Sequence, residues 1–284
     1  IFSFFFLLFK YNTYMNLSKI FLITIICFAL VCFSCFKSSA FVNKNELTLD
    51  NLFKYSLMIH LNDHELSQSR INKLDKIYKD YGIKYNLFPA LHWKKDEKEL
   101  NSLPIIRSKP KMWSGAWGLA GSFYKALKYA KDNNFPYLLY LEDDSIPLLD
   151  KKTFFDKYNL IINSIKNDLN KNNVYFLSYT RYCNSSRPCN DKNIFIKRGI
   201  NYWGTGCIIF TKKSIENILN YIEKNKIHLA IDNYINFLET KNIVNTFTWE
   251  GNISKNGMFC GIYEQIDTNC NERFSIIGDV KDRT

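Results

Sequence analysis

An α/β doubly wound sheet is the fold class this sequence predicts, and three observations predict it. Short apolar runs of strand length alternate with longer stretches of helical period. One run, Tyr137-Leu138-Leu139-Tyr140-Leu141, is apolar without interruption and ends in three adjacent carboxylates, Glu142-Asp143-Asp144. Another, Cys207 to Phe210, is opened by Gly204-Thr205-Gly206. Uninterrupted apolar strands are those buried on both faces, and in open α/β sheets ligands bind at the carboxyl ends of such strands.

The elements follow in order. A short polar stem is expected over 41–54, and Ser56 to Leu61 reads as a strand. Ser67 to Tyr81 is an amphipathic helix with Ile71, Leu74, Tyr78 and Tyr81 on one face and Gly82 closing it. Lys84 to Phe88 is a second strand. A long polar connection with Pro104 and Pro110 leads through Trp113-Ser114-Gly115-Ala116-Trp117-Gly118 into a helix ending near Lys131. That helix places Leu119, Ala120, Phe123, Leu127 and Ala130 inward. After the acidic strand, Ser145-Ile146-Pro147 leads away, its proline expected to stop further strand pairing. A helix over 153–170 and a strand from Val174 to Ser178 come next. Beyond Cys207 to Phe210, helices over 213–225 and 231–239 and a strand over 243–249 complete the regular part.

Composition narrows the class. The 18 Tyr, 23 Phe and 5 Trp in 284 residues exclude a disordered or fibrous chain. The formal charge of +11 is spread among asparagines without a long basic cluster, so no nucleic-acid partner is expected. The chain begins at Ile1, and Met15 opens a targeting pattern in which the uncharged segment Ile20 to Phe36 would be roughly 25 Å long as a helix. Residues 1–14 read as upstream translation or a fragment edge, with a genuine part of the protein as the alternative. Ser38-Ser39-Ala40 offers a cleavage site, so residues 1–40 are a signal peptide or a signal anchor. The expected destination is the secretory pathway, either membrane-anchored in the ER or Golgi lumen (type II) or secreted. Residues 55–284 form one catalytic domain.

In that oxidising lumen Cys183 with Cys189, and Cys260 with Cys270, are near enough to pair, leaving Cys207 as a free thiol in a buried strand. No C-x-x-C spacing marks a zinc site. Asn184-Ser185-Ser186 and Asn252-Ile253-Ser254 are glycosylation sequons of a kind that arises by chance in an Asn-rich chain.

The acidic triplet carries the chemistry. Like charges packed together need a compensating cation. On an extended segment Glu142 and Asp144 share a face and Asp143 points elsewhere. Hard oxygen ligands suit Mn²⁺ or Mg²⁺, ions that often bind through a substrate's phosphates. The alternative is a solvated acidic turn.

Four segments, in order, resemble glycosyltransferase family 25, the lipopolysaccharide and procollagen galactosyltransferase-like group. They are Leu57-Met58-Ile59-His60-Leu61 with Arg70 following, Gly118-Leu119-Ala120-Gly121-Ser122, Leu141-Glu142-Asp143-Asp144 with Pro147 beyond, and Gly204-Thr205-Gly206 followed by Ala230-Ile231-Asp232. A weaker echo lies in Gly261-Ile262-Tyr263-Glu264-Gln265 and Ser275-Ile276-Ile277, so the resemblance spans about residues 55–278. Three positions depart from it: His60 stands where the family usually has Asn, Asp63 lies near its usual Arg, and Phe123 replaces a His.

The resemblance implies a GT-A-like, Rossmann-type mixed sheet flanked by helices, a metal ion (Mn²⁺ or Mg²⁺) bridging a donor diphosphate, and inversion at the anomeric carbon. It implies Asp144 and Glu142 as metal residues, Glu142 assisting or contacting the ribose, and Asp143 beside the donor. The candidate base is Asp232, with a helix N-cap as the alternative. Gly204 and Thr205 would let backbone approach the donor, or form a simple turn. Trp203 would stack on a sugar or join the core. Gly118 and Ser122 would support the nucleotide pocket, or serve helix-start packing. Arg70 would contact phosphate, or be an ordinary exposed helical arginine. His60, His64, His92 and His228 show no metal-ligand spacing and receive no role.

The expected function is transfer of a hexose, galactose or glucose, from a UDP-sugar or another nucleotide sugar to a glycan, glycolipid or protein acceptor. Two rivals stand beside it: a catalytically impaired relative that binds glycans or partners, and an unrelated metal-dependent phosphate-ester hydrolase. The transferase reading expects Glu142, Asp144, Asp232 and Gly204 around one cavity.

Overall fold

The computed structural model describes residues 48–62, 64–107, 112, 114–180, 192–197, 204–253, 259–261 and 263–265, all within the unit 47–284. The targeting segment, Asp63, Trp203, the sequon at Asn184 and the expected cysteine pairs lie outside the residues or side chains described. Among the described residues no helix is long and apolar enough to cross a membrane.

The polar stem ends sooner than expected. Leu49–Lys54 is a helix, α1, with Leu52 and Phe53 buried. Thr48 caps it by accepting from the Asn51 N–H at 3.2 Å. Strand β1 is Ser56–His60 and helix α2 is Glu65–Tyr81, closed at Gly82. Strand β2, Leu87–Pro89, lies later than the expected 84–88. Residues 83–86 run on from the helix cap, and ladder pairing with β1 begins at Leu87. The polar connection contains a short helix, α3 (Glu97–Ser102), anchored by the fully buried Leu100. Helix α4, Ser114–Asp132, starts before Gly118, so the glycines expected to introduce the helix lie inside it.

Strand β3 is Tyr137–Glu142 and β4 is Ser145–Pro147. Here the expectation about Pro147 is corrected: Ser145–Pro147 pairs antiparallel with β12, Tyr263–Gln265. This is a two-stranded ribbon, where a proline at the end of a strand interrupts no central ladder. Helix α5, Lys151–Ile165, is capped by Asp150 accepting from the Thr153 N–H at 3.1 Å and runs into a 3₁₀ turn, Lys166–Asp168. Strands β5 (Asn173–Phe176), β6 (Ser178–Thr180), β7 (Ile194–Lys197) and β8 (Cys207–Thr211) follow. Helices α6 (Lys212–Asn225) and α7 (Ile231–Thr240), then β9 (Asn245–Glu250), β10 (Asn252–Ile253) and β11 (Phe259–Gly261), complete the order.

Seven strands form one mixed sheet in the order β2-β1-β3-β8-β5-β9-β7. The β1–β2, β1–β3 and β5–β9 pairs are parallel, and β8 runs against both β3 and β5. Helices cover both faces because alternate side chains leave the strands in opposite directions. Leu57, Ile59, Leu138, Tyr140, Ile208 and Phe210 pack with residues of α4, α6 and α7. Met58, Tyr137, Leu139, Leu141, Tyr175 and Ile209 pack with residues of α1, α2 and α5. Cys207 is a buried free thiol, as expected.

Candidate functional site

The chain runs from β1 outward to β2 and returns across β1 to β3, so the strand order reverses between β1 and β3. In open α/β sheets this is where the crevice for a ligand opens. His60 and Glu142 end the two parallel strands at that edge. The antiparallel β8 brings its own start there, and Gly206, just before it, is tied to the end of β3 and to β4. Its carbonyl accepts from the Glu142 N–H at 3.0 Å and from the Ser145 hydroxyl at 2.6 Å.

The three carboxylates part company at this edge. Strand β3 ends at Glu142 and Asp143-Asp144 make a turn, so strand alternation no longer governs them. Glu142 and Asp144 line one cavity, and the expectation that Asp143 points elsewhere is corrected: it lines the same cavity. Glu142 accepts a hydrogen bond from Thr205, while Asp143 and Asp144 both meet α2. Arg70 Nη1 donates to Asp144 Oδ2 at 3.1 Å and lies 3.6 Å from Asp143 Oδ1. Ser67 donates to Asp143 Oδ2, and His60 Nδ1 lies 2.8 Å from Ser67 Oγ and 3.6 Å from the same carboxylate oxygen.

Arg70 is thus a buried ion-pair partner, 5% exposed, rather than a solvated helical arginine. Ser67 sits one helical turn before it, on the face that also carries Leu74. Burial and the charge of Asp144 push the Glu142 carboxyl up to about 8, against the lowering effect of the Thr205 hydroxyl. Asp143 and Asp232 contribute to the same rise.

These groups face a cavity of about 430 Å³, open solvent at its mouth included. Its wall is formed by Ile59, Leu61, Arg70, Ala90, Leu91, Leu119, Ser122 and the three acids. Of the expected site residues, Glu142, Asp143, Asp144, Arg70 and Ser122 line it. Thr205 is buried behind Glu142, and Gly204 precedes it at φ 98°, a backbone conformation that glycine adopts without strain.

Two expected residues stand elsewhere. Gly118 packs within α4, where a Cβ would meet the Leu91 carbonyl oxygen at 2.6 Å. Asp232 does not line this cavity; it lies in the first turn of α7, within electrostatic reach of Glu142. It is not the N-cap, a position held by Ala230, and it accepts from the Asn233 N–H at 2.7 Å. Ser122 lines the wall, but its hydroxyl serves the backbone, accepting from the Leu91 N–H and donating to the Gly118 carbonyl, both at 2.8 Å.

His60 and Ser67 are the residues that sequence reasoning missed. The available signal was a histidine ending an otherwise apolar strand one residue before Leu61, facing a serine in the first turn of the next helix.

Among the described residues no group of three His, Cys, Asp or Glu side chains is arranged to hold a metal ion. Two buried carboxylates on one cavity nevertheless fit a hard divalent cation that takes its other oxygens from a phosphate ligand and water. The mutual repulsion acting on Glu142 is the field such a cation would relieve.

No family model matches the chain, and no curated protein matches it in sequence. Among solved structures it is similar to "Crystal Structure of A197 from STIV", at 14% identity and a TM-score of 0.35 over 75% of this chain and 96% of that one. A likeness this distant bears on neither mechanism nor substrate.

Proposed function

We propose that this chain is a metal-dependent glycosyltransferase of GT-A-like architecture that moves a hexose from a nucleotide sugar, with UDP-galactose or UDP-glucose as the leading donors, to a glycan, glycolipid or protein hydroxyl. The observation that carries it is one cavity at the strand-order reversal, walled by Glu142, Asp143, Asp144 and Arg70. The resemblance of the ordered segments to glycosyltransferase family 25 supports the same reading. A secretory location, luminal or secreted, follows from the segment Ile20 to Phe36.

In this reading Glu142 and Asp144 hold the cation, which when bound stabilises the charge of the leaving diphosphate as a Lewis acid. Arg70 presents a fixed positive charge to the same diphosphate. Thr205 orients Glu142 by its hydroxyl, and Ser67 with His60 fixes Asp143. The acceptor oxygen attacks the anomeric carbon as the bond to the diphosphate oxygen breaks, which inverts that carbon. Asp232, half-buried in the first turn of α7 and within electrostatic reach of Glu142, takes the acceptor proton.

A second reading, a nucleotide- or glycan-binding relative without turnover, draws on two observations. Arg70 already occupies Asp144, and Asp232 stands off the cavity wall. A donor screen on the purified full chain separates the two. Nucleotide release from one UDP-sugar, dependent on Mn²⁺ and reduced at least ~10²-fold in Asp144→Ala, is expected of the transferase. Tight nucleotide binding with no release from any donor would instead establish the binding protein. Neither binding nor release would end both readings.

A further inference from the structure

Arg70 stands where a cation is called for. Its Nη1 is 3.1 Å from Asp144 Oδ2 and 3.6 Å from Asp143 Oδ1, and its side chain is 6% exposed. Its Nε is buried without a hydrogen-bond partner. A guanidinium so placed neutralises Asp144 from within the protein, at the oxygen proposed above as a metal ligand. Two cations cannot share one carboxylate oxygen in a poorly solvated site without strong mutual repulsion.

We infer that Arg70 is the resident counter-ion of the acidic triplet, that it competes with the divalent metal for Asp144, and that it leaves this carboxylate only when a diphosphate arrives to receive it. Metal and nucleotide then load together. The inference rests on the donor-site reading above and adds an order of events to it. Its physical basis is reciprocity: if a diphosphate draws Arg70 away from Asp144, it strengthens metal binding, and metal strengthens diphosphate binding by the same factor. Arg70 has a short way to go, because it lines the same cavity as the acids it pairs with. The other side of the network has contacts of its own: Ser67 donates to Asp143 Oδ2, and His60 lies beside both.

The test is Mn²⁺ binding to the full chain, followed by the electron paramagnetic resonance signal of the free ion, with and without UDP. Wild type is expected to bind Mn²⁺ at least tenfold more tightly with UDP than without. Arg70→Gln is expected to bind Mn²⁺ alone at least tenfold more tightly than wild type, and to lose most of the gain that UDP gives. Arg70→Lys keeps the charge without the planar fork and is expected to fall between them.

Thermal melting guards against a variant that folds poorly. Mn²⁺ alone is expected to raise the melting temperature of Arg70→Gln while leaving wild type nearly unmoved. If Mn²⁺ with UDP binds wild type but Arg70→Gln gains no affinity for Mn²⁺ and no thermal rescue, Arg70 is not a competitor and the inference falls alone. If Mn²⁺ binds neither protein, with or without UDP, the metal reading of the site falls with it.

Discussion

Two helices flank the acidic strand end, and they meet it with opposite chemistry. Helix α2 brings Ser67 and Arg70 onto Asp143 and Asp144, so that side is held by charge and hydrogen bonds. Helix α4 brings Gly118, Ser122 and Phe123, and that side is held by packing. Gly118 lets the 90–93 segment lie against the helix, and Ser122 ties that segment down through the Leu91 N–H. Phe123 is fully buried, its ring centroid 5.9 Å from that of Tyr140 and 5.7 Å from that of Phe210. A run of small residues near a strand end can signal either substrate approach or helix packing. On α4 the contacts are those of packing, and the polar surface of the cavity comes from the α2 side and the strand ends.

The difference predicts how each side fails. The largest effect is expected on the charged side. In metal-free buffer Arg70→Gln should lower unfolding free energy by about 3–5 kcal/mol, because it strands buried carboxylates. Equilibrium denaturation measures this, and a loss below about 1 kcal/mol, the scale of an exposed ion pair, would mean the α2 side is not electrostatically held. Next comes Gly118→Ala, whose new methyl would press on the Leu91 carbonyl, a backbone atom that cannot swing aside. About 3 kcal/mol is expected, the upper part of the range for overpacking. Unlike Arg70→Gln, it should gain nothing from added Mn²⁺.

Much of this frame was legible in the sequence. The strand from Tyr137, the helix ending at Tyr81 and the helices after Thr211 announced themselves because an uninterrupted apolar run or a 3.6-residue period repeats the same signal several times. Strands β10, β11 and β12 did not, since two or three residues carry no period and their pairing is decided by distant partners. The ribbon through Pro147 was misread for the same reason: a proline excludes a central ladder but not the rim of a two-stranded one. The acids themselves were visible as an oddity. The identity of a cation on them was not, because Arg70 reaches Asp144 across 74 residues of sequence. Burial of Arg70 depends on where α2 lies against the sheet edge, which local pattern does not encode. His60 stood out only as a departure from the family pattern; its spacing to the other histidines carries no signal of its partner, a serine hydroxyl on the next helix.

Ser122 is where the comparison can be broken most cheaply, for it belongs to both descriptions. It lines the cavity, yet both of its hydrogen bonds go to backbone. If α4 contributes packing alone, Ser122→Ala removes a hydroxyl that no nucleotide sugar touches. The Leu91 N–H then loses its acceptor in a buried place, which should lower stability by about 1–2 kcal/mol. UDP affinity, measured calorimetrically at a temperature where the variant is fully folded, should stay within twofold of wild type. A tenfold loss of UDP affinity with stability intact would place the hydroxyl on the nucleotide and make α4 a second binding side. A fall in both would mean that the 90–93 segment, which supplies Leu91 and follows Ala90 in the cavity wall, must be held by Ser122 for the nucleotide to bind.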